Sequence, residues 1–240
     1  MVTSIITLLS GVFVWFFLPK NSDEVTREKI NTSHLGSIIK MPSIWLLSII
    51  IVCAYVGYKI TDDYSLYAHE VLGFDEYESA LIGTVALWIR AIVAISVGYL
   101  ADKLSASKVI SCCFLLTIIG AGMVSLGFID QIVVLIITNL ALILIGLYGI
   151  RTLYFALIEE ADIPVYITGT AVGVVSVIGF TPDIFMGPWM GSLLDNNPGE
   201  LGHQKVFFIL LVFALIGLVA SLFFGFLNRR KNKFSTIKDT

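Results

Sequence analysis

Apolar residues run along this chain in long blocks separated by short polar breaks, without the alternation of period two that marks a strand. Counting roughly 20 apolar residues as one membrane crossing, seven blocks are predicted to be helices: 2–18, 43–68, 80–101, 107–128, 131–158, 165–192 and 205–228. The pattern predicts an all-α fold, a polytopic bundle of seven transmembrane helices, and opposes a β-barrel, whose strands would alternate. The longest blocks should tilt or kink. The first is the shortest, and Pro19 closes it. The expected organisation is a transmembrane helix at 1–18, a cytoplasmic linker at 19–42, a six-helix bundle at 43–228 and a basic tail at 229–240.

Composition agrees. The chain is 57% hydrophobic and only 14% charged, against about 25% charged in soluble domains. The net charge of −3 says nothing of nucleic acid, and no basic stripe with interleaved aromatics lies outside the tail, so no nucleic-acid partner is expected. Cys53, Cys112 and Cys113 lie in apolar blocks at no metal or redox spacing. His34, His69 and His203 fall in connections, and no phosphate-gripping loop, metal cluster or nucleophile triad is visible, so neither an enzyme nor a cofactor or metal is expected. The first block has no basic start and no small-residue cleavage pattern, so it reads as a retained helix rather than a signal peptide.

Lysine and arginine set the expected orientation. They cluster at Lys20, Arg27, Lys29 and Lys40, at Lys103 and Lys108, and in the tail from Arg229 to Lys238, whereas the alternate connections 69–79, 129–131 and 196–204 have none. The amino terminus is expected outside and the carboxyl terminus in the cytoplasm. The connection 159–164 is acidic where cations would be expected, but acidic residues weigh little in this rule.

Charges inside apolar blocks cost ~2.5 kcal/mol or more and persist beside a cavity or a partner. Arg90 is the deepest, near the middle of its block; it contacts a solute or gate, or it pairs with Asp183. A guanidinium suits anionic solutes because it offers a planar fork of donors and stays charged. Lys59, Asp62 and Asp63, spaced i, i+3 and i+4, share one expected helix face with Tyr55 and Tyr58 nearby. Either Lys59 meets the solute while an aspartate exchanges a proton or ion, or Lys59 pairs with Asp63 within the helix. Asp62, Asp63 and Asp183 are thus the candidates for coupling. Arg151 suits an inner gate with Glu159 and Glu160, which otherwise read as solvated helix ends. In the sixth block Gly169 with Gly173, and Gly187 with Gly191, offer small faces for close helix packing. Pro182 should kink the helix and free a carbonyl that a neighbouring hydroxyl or lumen must satisfy, turning Thr181 and Asp183 inward.

The loop Gly98-Tyr-Leu-Ala-Asp102-Lys103-Leu-Ser105-Ala-Ser107-Lys108 resembles the signature turn of the major facilitator superfamily. Ser105 stands where that turn has a second glycine, and Ala106 and Ser107 where basic residues are usual. By this resemblance Gly98 lets helices approach, Asp102 caps the next helix or binds a cation, and Lys103 or Lys108 holds Glu159 or Glu160 when the inner side is closed. The segments Tyr58-Lys-Ile-Thr-Asp-Asp-Tyr64, Leu87-Trp-Ile-Arg90, Tyr154-Phe-Ala-Leu-Ile-Glu-Glu160 and 168–185 look like a bacterial inner-membrane permease branch of that family. Six spans after a charged linker match its carboxyl-terminal half, with the first block in place of the preceding helix.

The resemblance implies a secondary transporter of the inner membrane that works by alternating access, driven by a proton or ion gradient, and the guanidinium of Arg90 points to a small anionic organic solute. Its partners would be the lipid bilayer, the solute and an amino-terminal six-helix half. Two alternatives stay open: a split or inactive half-transporter, and a seven-helix receptor or photoreceptor, which the absence of a lysine deep in 206–227 opposes for retinal.

Overall fold

The computed structural model describes residues 2–17, 32–61, 63–129, 132–161 and 163–238. All regular structure among them is helical. The chain divides into two units, Met1–Gly36 and Ser37–Thr240. The first carries α1 (Val2–Phe17), a 16-residue apolar helix, shorter than the roughly 20 residues of a full crossing. Most of the expected linker lies outside the described residues, though α2 (Thr32–Ile39) gives its end a helix.

In the second unit six helical segments are long and apolar enough to cross a membrane. The first is α3 (Pro42–Ile60) with its continuation α4 (Asp63–Glu70). Proline at the start of α3 suits a first helical turn, where its missing N–H would have had no partner. Next is α5 (Glu76–Lys103), whose start is written locally as Asp75-Glu-Tyr-Glu78. Asp75 Oδ1 accepts from the Glu78 amide at 2.6 Å and Glu78 Oε2 accepts from the Asp75 amide at 3.2 Å, a reciprocal cap. Then come α6 (Ala106–Ser125) and α7 (Val133–Leu153), followed by the short α8 (Ala156–Glu160). The fifth expected span therefore stops at Leu153 instead of running to 158.

The sixth span breaks as its proline predicts, into α9 (Val165–Gly179) and α10 (Pro182–Asn196). Pro182 cannot donate to the carbonyl of Ile178, one turn back, and the Thr181 hydroxyl does so at 2.7 Å. The last helix, α11 (Glu200–Lys238), is 39 residues long, so the tail expected from 229 continues the helix instead of leaving it.

Packing runs in the order α5, α7, α6, α11, α3, α9, with α3 also meeting α7 and α10. Two apolar clusters fill the bundle. Ile44, Leu47, Ile110, Phe114 and Phe224 belong to the one near the α5–α6 turn, and Val56, Ile60, Tyr64, Phe207 and Leu210 to the one near the start of α11. The tightest crossing joins α6 and α7, where a Cβ on Gly146 would lie 2.3 Å from Thr117 Oγ1 and 2.7 Å from the Cys113 carbonyl. In contrast, only 11% of the apolar window of α5 is buried and 28% of that of α9–α10, against 44% for the α11 span. These two spans sit at the ends of the packing order.

The small faces predicted on the sixth span meet no neighbour among the described residues. A Cβ added to Gly169, Gly173, Gly187 or Gly191 meets nothing within 4 Å. Gly146→Leu is expected to lower the melting temperature of the detergent-purified chain, costing about 1–3 kcal/mol through overpacking. Gly173→Leu should stay within about 0.5 kcal/mol of the parent in the same measurement.

Candidate functional site

Side chains in a helix lean toward its amino-terminal end. Because α3 and α7 run in opposite directions, Tyr58 and Arg151 lean toward each other. The Arg151 guanidinium carbon lies 3.8 Å from the centre of the Tyr58 ring and 5.7 Å from that of Tyr55. One turn of α3 carries the rest of the cluster: Tyr55 packs on Tyr58 at 5.7 Å between centroids and on Phe180 at 5.0 Å. The break before α10 brings Asp183 to the same level. Its Oδ1 is 2.6 Å from Lys59 Nζ, and its Oδ2 accepts from the Tyr55 hydroxyl at 2.8 Å. Both carboxylate oxygens are thus engaged by α3. Arg151 Nη1, by contrast, is buried with no hydrogen-bond partner among the described residues. A cationic face with an unpartnered guanidinium nitrogen, framed by aromatic rings, is chemistry suited to an acceptor-rich ligand.

At one end of the bundle the turn 104–105 links α5 to α6. Ser105 has φ −73°, an ordinary extended value, so the turn accepts serine without strain. Its side chain makes no capping bond. Glu160, at the end of α8, supplies the cap instead: Oε2 accepts from the Ser107 amide at 2.9 Å and Oε1 from the Ser107 hydroxyl at 2.5 Å. A carboxylate there also complements the positive end of α6. A shallow cavity of about 350 Å³ beside this cap is lined by Gly98, Asp102, Ser105, Glu159 and Glu160.

A family model described as the Major Facilitator Superfamily matches residues 1–181. The chain belongs to the Major Facilitator Superfamily. Among curated proteins of Escherichia coli (strain K12), Inner membrane protein YqcE is 28% identical over 228 residues, covering 90% of this chain and 53% of that protein. Inner membrane protein YihN is 27% identical over 231 residues, covering 91% of this chain and 54% of that protein. The chain spans about half the length of the curated relatives it matches.

Tyr55, Tyr58, Lys59 and Asp183 come together, but Asp183 takes Lys59 and Tyr55 as partners, not Arg90. Arg90 lies exposed on α5, and Tyr154 is within electrostatic reach of both it and Arg151. Lys59 and Asp63 do not share the expected face: the helix breaks after Ile60, and Asp63 turns to α11, where its Oδ2 lies 2.9 Å from His203 Nδ1. Asp62 lies outside the described residues. Arg151 joins the aromatic cluster instead of Glu159 and Glu160. In the signature turn, Glu160 does the capping expected of Asp102, Lys103 lies over the Tyr99 ring at 4.3 Å, and Gly98 lines the cavity with no neighbour within 4 Å of an added Cβ.

Sequence reasoning missed His203 because it placed the residue in a connection. Pro198-Gly199 was the available signal, since Gly199 takes φ 79° and the helix starts directly after it, putting His203 in the first turn of α11. No local signal links Glu160 to Ser107, which are 53 residues apart. Glu160→Ala is expected to cost about 1 kcal/mol of stability as a lost cap and to speed amide exchange in the first turn of α6. Glu159→Ala should leave that exchange unchanged, as read by hydrogen–deuterium exchange of the purified chain.

Proposed function

We propose that this chain is the solute-binding bundle of an inner-membrane secondary transporter that moves a small organic anion by alternating access. The observation that carries the reading is the buried, unpartnered Nη1 of Arg151 beside Tyr58, next to the Lys59–Asp183–Tyr55 network. Burying a guanidinium nitrogen with its donors unused is costly, and an anionic ligand supplies the missing acceptor. In this reading Lys59 is the second cation, Tyr55 and Tyr58 bound the site and orient the solute through their rings and hydroxyls, and Asp183 releases Lys59 when the solute arrives.

Arg90, on the exposed face of α5, contacts the solute from the opposite wall in a complete transporter. The exposed sides of α5 and of α9–α10, including Gly169, Gly173, Gly187 and Gly191, then meet a second six-helix bundle. The unfilled glycine faces and the half-length match to the relatives support that partner. The cavity lined by Gly98, Asp102, Glu159 and Glu160 forms the gate on the cytoplasmic side, where Lys103 and Lys108 face inward under the positive-inside rule. Ion coupling falls to Asp183 or Asp63, and the amino terminus lies outside.

The test is ligand-dependent thermal stabilisation of the purified chain across gluconate, glucuronate, glycerol phosphate and the neutral sugars glucose and galactose. At least one anion should raise the melting temperature and no neutral sugar should match it. Arg151→Gln and Lys59→Gln should each weaken the effect about tenfold or more in apparent Kd, about 1.4 kcal/mol. Stabilisation by a neutral sugar alone, or full retention in Arg151→Gln, would overturn the anionic assignment. In vesicles carrying both bundles, Arg90→Ala should abolish uptake of the stabilising anion while leaving membrane insertion intact.

A further inference from the structure

Near the other end of the bundle, three ionisable side chains meet away from the solute cluster. His203, in the first turn of α11, is completely buried. Its Nδ1 lies 2.9 Å from Asp63 Oδ2 and its Nε2 lies 3.1 Å from Glu70 Oε2. Both carboxylates belong to α4, one at each of its ends, so a single imidazole ties this short helix to α11. Asp63 is itself buried, with 1% of its side chain exposed, while Glu70 keeps 43% exposed.

Proton counting defines what this arrangement requires. A neutral imidazole has one N–H and one lone pair, so it can donate to only one of two ionised carboxylates. The other carboxylate would then face the lone pair, acceptor against acceptor. Bonding on both ring nitrogens therefore needs one proton beyond a neutral histidine and two carboxylates, carried either as imidazolium or on a carboxyl group. The two carboxylates lie on opposite edges of the ring, so they cannot close on one metal ion with it; the residues hold a proton, not a cation of that kind.

We propose that His203, Asp63 and Glu70 form a proton-binding latch that holds α4 against α11 when occupied and lets Glu70 go when the proton leaves. Glu70 is the arm that opens because it is the more exposed carboxylate, whereas Asp63 stays buried and hydrogen-bonded to Nδ1–H. The proton leaves Nε2 by way of the Glu70 carboxylate to water, giving a neutral imidazole and an ionised glutamate, with no other bond changed. α3 ends at Ile60 and α4 begins at Asp63, so the latch acts on a short helix of its own.

Among the described residues, the one other imidazole on α4, His69, turns to the Phe74 carbonyl, 2.9 Å from its Nδ1. From α4, Tyr67 meets the imidazole edge-on at 5.5 Å, and Tyr64 packs beside Tyr67 while its hydroxyl donates to Asn139 Oδ1 of α7 at 3.1 Å. From α11, Glu200 acts on Tyr67 and accepts from Gln204 at 2.9 Å, adding negative charge at the helix start. Lys205, the cation next along α11, is engaged with Asn197 Oδ1. Phe207 closes the apolar side against Tyr64 and Tyr67. In the transporter reading above, such a latch would couple proton uptake to closure at this end, but the latch itself does not depend on that reading.

Hydrogen–deuterium exchange of the full purified chain in lipid nanodiscs tests it directly, comparing pH 5.5 with pH 8.5 after correction for the intrinsic exchange rate. Amides of α4 should lose protection about tenfold for each pH unit above the midpoint, the slope expected of one linked proton. His203→Gln should remove this pH dependence. Glu70→Gln should remove it in the opposite sense, leaving α4 protected at both pH values, because an amide can either accept from or donate to Nε2. Equal protection at both pH values in the parent chain, or retained pH dependence in Glu70→Gln, overturns the latch. If His203→Gln does not fold, Glu70→Gln decides alone. Loss of anion stabilisation with intact pH-dependent protection would sink the transport reading and leave the latch standing.

Discussion

Without water to serve as a partner, backbone amides and carbonyls inside a membrane must be satisfied by the chain itself, and that constraint governs where this bundle can be irregular. Side chains cover freed backbone groups at several of these places. At the break before Pro182 the Thr181 hydroxyl takes the Ile178 carbonyl, and at the end of α3 the Thr61 hydroxyl donates to the Tyr58 carbonyl at 2.6 Å. At the start of α6, Glu160 covers the Ser107 amide. The candidate chemistry collects at the same places. Asp183 follows one break, Asp63 another, and Glu160 closes the short helix that follows a third. A helix restart offers a carboxylate both a favourable field and freedom from the register of the preceding turn, so it can reach a partner on another helix.

The two ionic clusters differ in how they handle burial. Asp183 spreads its two oxygens over an ammonium and a phenol hydroxyl, and both it and Lys59 remain partly exposed. Breaking that pair on ligand arrival is therefore cheaper than breaking a fully buried one. His203 and Asp63 are closed off from solvent, and their bond persists while the exposed arm, Glu70, can part. One cluster is arranged to exchange partners and the other to exchange a proton.

Packing and exposure also divide the helices. Where α6 and α7 cross, glycine permits backbone contact, which in a membrane stands in for the hydrophobic driving force that lipid cannot supply. On α9 and α10, Gly169, Gly173, Gly187 and Gly191 meet nothing among the described residues, whereas Gly179 packs on Ile51 of α3. Exposed apolar side chains such as Trp88 and Ile95 on α5, or Val177 and Ile184 on the sixth span, are compatible with lipid or with a second bundle alike. Small residues in a row are informative in a different way, since lipid chains gain little from them while a close-packed helix gains much.

Length and apolar continuity determined the helical fold and the six crossing segments of the main unit, proline the kink at 182, and the residues of 98–108 the superfamily resemblance. These properties depend on neighbours in sequence, because helix formation and membrane span are set within one segment. Partner choice did not follow. Asp183 chose Lys59 over Arg90, Arg151 went to Tyr58 and away from Glu159, and Asp63 left the face of Lys59 for His203. Those outcomes rest on where two helix breaks fall and on which helices run antiparallel. Side-chain lean and helix direction act in three dimensions, so only the tertiary structure could decide them.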